Sequence, residues 1–155
     1  MKEDKFLATI LAGVGVLILL SLVIFFVRKS QEKYLPEDLP KNVVHNYILA
    51  LDKGDYQRAY GYLADEDNKP SYEEFALYFF DSHFHLKEYS IAVEDVQTIG
   101  EKALVHIIVT DASSTDILRL YNHKSTATLT LQDGAWKIEE MPYPFWAWDW
   151  YDEED

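Results

Sequence analysis

Residues 43–63 read VVHNYILALDKGDYQRAYGYL, and their spacing sets the reading of everything after them. Val43, Val44, Tyr47, Ile48 and Leu51 recur at offsets of one, four, five and eight, a single apolar stripe at the helical period. Pro40, just upstream, suits the first turn of that helix, where its missing N–H costs nothing. Gly54 supplies a stop. Asp55 can cap a second helix, in which Tyr56, Ala59, Tyr60 and Leu63 form another stripe before the acidic run Asp65-Glu66-Asp67. The tight join makes the two helices antiparallel.

Downstream, Ser71 followed three residues later by Glu74 forms a capping box for a third helix, with Phe75, Tyr78 and Phe79 on its apolar side. After Asp81 the period changes. Tyr89, Ile91 and Val93 alternate, Gly100-Glu101-Lys102 is a turn, and Ala103 to Val109 is apolar on both faces apart from His106, so this second strand is expected to be central. DASSTD (111–116) reads as a turn, and Ile117 to Leu131 as β-rich. Asp133-Gly134 then closes a hairpin into a strand on which Trp136 and Ile138 face one way and Lys137 the other. Three helices followed by a meandering antiparallel sheet is an α+β arrangement.

The helix phrase 43–63 and the hairpin LTLQDGAWKIEEM (129–141), in this order, resemble the nuclear-transport-factor-2-like superfamily, also called SnoaL-like or cystatin-like. The resemblance covers Pro40 to about Met141. It implies a bent sheet wrapped around a helix, leaving an apolar cone that enzymes of the family use as an active site and non-enzymes use for ligands or partners. Tyr47, Tyr60, Tyr78, Phe79 and Trp136 are the side chains expected to line it. No catalytic motif of the family's isomerases matches position by position, so no catalytic residue carries over.

Upstream, Phe6 to Val27 is uncharged and long enough at ~1.5 Å per residue to cross a bilayer. No small-x-small cleavage site follows, since the run ends Phe25-Phe26-Val27-Arg28-Lys29, and there is no cysteine to carry a lipid. The expected organisation is an arm (1–5), a transmembrane helix (6–27), a linker (28–39) bounded by Pro36 and Pro40, the cone domain (40–141) and an aromatic, acidic tail (142–155). Ala8 and Ala12 form a small-xxx-small pair, which suits either an ordinary lipid-facing helix or close approach of a second one. Arg28, Lys29 and Lys33 against Lys2 and Lys5 favour a cytoplasmic domain by one residue. The very short arm favours export, and the domain is expected on the extracytoplasmic side.

With 27 acidic against 14 basic residues and a net charge of −13, nucleic acid is excluded as a partner, because phosphate neutralisation needs clustered Lys and Arg. No phosphate-cradling, dinucleotide or serine-nucleophile motif is present, and no cofactor is expected. Asp81, His83 and His85 could begin a metal site if the segment were extended, but a third and fourth ligand are missing, so no metal is expected. His45 and His106 stand alone. In the ending PYPFWAWDWYDEED, Trp146, Trp148 and Trp150 alternate, which on an extended backbone puts three indoles on one face. They are expected to dock on the chain's own domain, with membrane or partner contact as the alternatives. The function expected is a membrane-tethered binding module of the cell envelope, engaging a protein, a small apolar ligand or a second copy. The alternative is a lyase or isomerase using the cone, and a cone filled by Tyr, Phe and Trp would favour the module.

Overall fold

In the computed structural model, residues 3–29, 33–67, 69–112, 121–147 and 150 are described, with side chains given throughout except at 3–8, 25–29 and 82–85. The chain forms two compact units, Met1–Lys33 and Tyr34–Asp155.

The first unit contains helix α1 (Glu3–Lys29). Val16, Leu17, Ile18, Leu19 and Leu20 are all exposed. Successive residues lie about 100° apart, so the helix is apolar around its whole circumference. Its 27 residues extend about 40 Å. The part with described side chains, 9–24, extends only about 24 Å, and among the described residues no helix is long and apolar enough to cross a membrane. The described residues therefore do not support the span expected at 6–27.

The second unit opens with α2 (Pro40–Lys53), which starts on Pro40 and ends at Gly54 in the left-handed conformation, φ 70°. The Gly54 N–H reaches back to the last carbonyls of the helix. Helix α3 (Tyr56–Tyr60) is capped by the Asp55 carboxylate, which accepts from the Arg58 N–H at 3.2 Å. It is shorter than its apolar stripe suggested, because Gly61 ends it. Leu63 leaves the helix and makes a parallel bridge to Ile138. Helix α4 (Tyr72–Leu86) has the expected capping box: the Glu74 carboxylate accepts from the Ser71 N–H at 2.8 Å, and the Ser71 hydroxyl from the Glu74 N–H at 3.3 Å. The helix continues past Asp81 to Leu86, which corrects the extended backbone considered for 81–85. Neither Gly nor Pro occurs between Pro70 and Gly100 to stop it earlier.

Strands β1 (Tyr89–Ile99), β2 (Lys102–Asp111), β3 (Tyr121–Gln132) and β4 (Ala135–Glu140) form one antiparallel sheet in the order β1-β2-β3-β4. Strand β2 is interior, as expected, but its faces differ. Ala103, Val105, Ile107 and Val109 are fully buried, whereas Leu104, His106, Ile108 and Thr110 are partly covered. The expected turn at 111–116 and the start of the β-rich run at 117 lie largely outside the described residues. The β3–β4 turn has φ 52° at Asp133 and 79° at Gly134, the paired positive values that a two-residue hairpin turn requires. The core lies between α2–α4 and the inner face of the sheet.

Candidate functional site

The concavity between helices and sheet is filled with aromatic side chains. Tyr47, Phe75 and Phe79 have no exposed surface, and Tyr60, Tyr78 and Trp136 are partly buried against the same cluster. Each helix tyrosine finds a carbonyl for its hydroxyl. Tyr47 donates to Phe145 at 2.8 Å, Tyr60 to Pro70 at 2.8 Å, and Tyr78 to Trp146 at 3.4 Å. Two of these three acceptors belong to the C-terminal tail.

The tail does not continue as a strand. It turns through Pro142–Trp146, with a cis Tyr143–Pro144 peptide, and doubles back. Phe145, Trp146 and Ala147 are buried. Trp150 stacks on Phe75 (centroids 5.3 Å, 28° between planes) and meets Phe79 at 5.7 Å, Tyr78 at 5.3 Å and Trp146 at 5.1 Å. The indoles of Trp146 and Trp150 thus contact each other across a turn, which replaces the expected alternation on one face. Trp148 lies outside the described residues.

Beside this plug runs a groove of about 710 Å³, lined by Trp146, Trp150, Met141, Pro142, Tyr143, Thr128, Lys102, Glu66, Glu139 and Glu140. Lys102 is ion-paired with Glu139. Among the described residues the buried polar side chains are Asn46 and Thr130, and the Nδ1 atom of His123 on β3 is also buried, without a hydrogen-bond partner among them. Among these residues, no three or more His, Cys, Asp or Glu are gathered where they could hold a metal ion. The side chains of His83 and His85 lie outside the described residues.

Sequence reasoning missed a second assembly, at residues 34–39. This stretch was expected in the linker, but it is bound to the domain. The buried Asn46 amide spans the backbone of Leu35, accepting from its N–H and donating to its carbonyl, both at 2.8 Å. Asn42 donates to the Pro36 carbonyl at 2.8 Å. The Arg58 guanidinium lies 3.5 Å from the centroid of the Tyr34 ring, with the Lys53 ammonium at 4.8 Å. Glu37 accepts from both Arg58 (3.1 Å) and the Tyr62 hydroxyl (2.7 Å), and Tyr62 accepts from Arg58 at 3.0 Å. Burial, and then the Glu37 carboxylate, push the Tyr62 phenol upward against the lowering effect of Arg58. Burial also raises Tyr34, whose hydroxyl has no hydrogen-bond partner among the described residues. The sequence did carry a signal: an amide inside the apolar stripe of α2, facing an aromatic-aliphatic pair in a supposed linker.

No family model matches the chain, nor does any curated protein. Solved structures superpose on it. An uncharacterised cystatin-fold protein from Novosphingobium aromaticivorans has 15% identity over 64% of this chain and 95% of its own, with a TM-score of 0.47. A candidate nuclear-transport-factor-2-like transpeptidase from Campylobacter jejuni has 14% identity over 66% and 98%, TM-score 0.48. A candidate ketosteroid isomerase from Shewanella frigidimarina has 24% identity over 64% and 89%, TM-score 0.48. At these values the likeness carries no inference about activity.

Proposed function

We propose that the protein is a membrane-tethered, non-enzymatic interaction module of the cell envelope: α1 spans the bilayer through Phe6–Val27, and Tyr34–Asp155 is a cone of the nuclear-transport-factor-2-like kind on the extracytoplasmic side. The observation that carries this reading is the plug. Trp150 sits on Phe75 and Phe79, where a small-molecule enzyme of this shape would hold its substrate. The tether is supported by 22 consecutive uncharged residues, Phe6–Val27, inside a 27-residue helix.

Topology can be read directly, because the chain has no cysteine. With Ser90→Cys on the exposed start of β1, a membrane-impermeant maleimide added to intact cells should label the protein, and labelling only after lysis would overturn the orientation. Crosslinking in membranes should then yield a defined protein complex. Stoichiometric binding of a steroid-like probe in the cone of the unaltered chain would overturn the non-enzymatic reading.

A further inference from the structure

Strand β1 stands at one end of the sheet and, among the described residues, pairs with β2 alone. Its other row of backbone N–H and C=O groups faces no strand among the described residues over eleven residues, a long edge to leave open. On the concave side, between β1 and the start of α2, lies a groove of about 550 Å³ lined in part by Leu39, Val93 and Val96. Val93 pairs with Ile107 and Val96 with Val105, both buried residues, so the groove continues the core face of the sheet outward. Leu39 and Val93 are 45% and 40% exposed. A strand laid along this edge would send alternate side chains into the groove.

We propose that the free edge of β1 and this groove form a strand-addition site for an extended segment of a partner protein in which basic and apolar residues alternate. This rests on the interaction-module reading and names where the partner binds. Charge selects the occupant. YSIAVEDVQTI (89–99) contains two acids and no base, so Glu94 and Asp95 outnumber Lys41 of α2 among the charged residues lining the groove, and a register shift leaves Glu94 as an extra residue at the strand's middle. A second copy paired antiparallel along the whole strand would centre on Glu94 and set the two Glu94 side chains opposite each other, which like charges oppose. An ammonium fits there, since Glu94 already accepts from Lys124 at 2.7 and 2.9 Å. That pair is exposed on both sides, so exchanging it for a partner's lysine costs little.

The test uses the full chain in detergent or nanodiscs and a short peptide alternating lysine and valine. Amide hydrogen exchange across 89–99 should slow on binding. The same peptide N-methylated at alternate amides keeps its side chains but cannot complete the ladder, and should bind at least about tenfold more weakly. Val93→Lys and, separately, the exposed Glu94→Lys should each weaken binding, with unchanged melting showing that the variants fold. Absence of peptide binding, equal binding of the N-methylated peptide, or protection located elsewhere would overturn the site. A dimer of the unaltered chain that Val93→Lys dissociates would assign the edge to a second copy and overturn the proposed occupant. A membrane complex that survives both substitutions would leave the interaction-module reading intact while removing β1 from it.

Discussion

At Asn46, one fully buried side chain holds both backbone polar groups of Leu35. Asn46→Ala should cost about 2 kcal/mol, since it removes two part-buried hydrogen bonds at about 1 kcal/mol each. Denaturant unfolding of the whole chain measures it, and faster proteolysis between Tyr34 and Leu39 should accompany the loss. Tyr47→Phe is a milder change at a second buried contact. It leaves the ring in place but strips the Phe145 carbonyl of its donor, and should cost about 1–2 kcal/mol in the same measurement. A smaller effect for Asn46→Ala than for Tyr47→Phe would show that residues 34–39 are not held as described.

Among the elements, the tail has the largest expected effect. Deleting 144–155 removes Phe145, Trp146 and Trp150 from the aromatic cluster, and with them the carbonyl that accepts from the Tyr47 hydroxyl. The melting temperature should fall by roughly 10–20 °C, the consequence of losing about 4 kcal/mol in a domain of this size, and an apolar dye should bind the opened cone. An unchanged melt would make the tail an outward contact. The 34–39 segment responds instead to alkali. A tyrosine raised above its ordinary value of about 10 contributes stability that is present below that pH and declines as pH rises through the higher folded value. Tyr34 and Tyr62 are both raised, so proteolysis at 34–39 should accelerate above pH 10, and Tyr62→Phe should flatten that rise. How much of this was legible follows from what is local. The α2 stripe, the Ser71–Glu74 box and the Asp133-Gly134 turn are short-range codes, and the structure contains all three. Trp150 meeting Phe75 depends on a reversal of the chain between distant segments, and WAWDW reads equally well as a strand. The end of α4 was read too early because polar residues interrupted the apolar stripe, although nothing in 81–86 breaks a helix.

Considered as a whole molecule, the chain places a strongly acidic unit after a helix that is uncharged from Phe6 to Val27. Extraction of membranes with carbonate should leave it in the pellet, and release into the supernatant would refute the tether. The two sheet edges differ in one further respect. Beyond β4, the Ala64 N–H donates to the Ile138 carbonyl, the Ile138 N–H to Tyr62, and the Lys137 ammonium to Gly61, so that margin is already occupied from within. Growth by strand addition needs two available margins, one to receive and one to offer. A sheet with a single open margin can accept one guest and then stops. Crowding many copies into a two-dimensional bilayer would therefore not seed a fibre along the sheet.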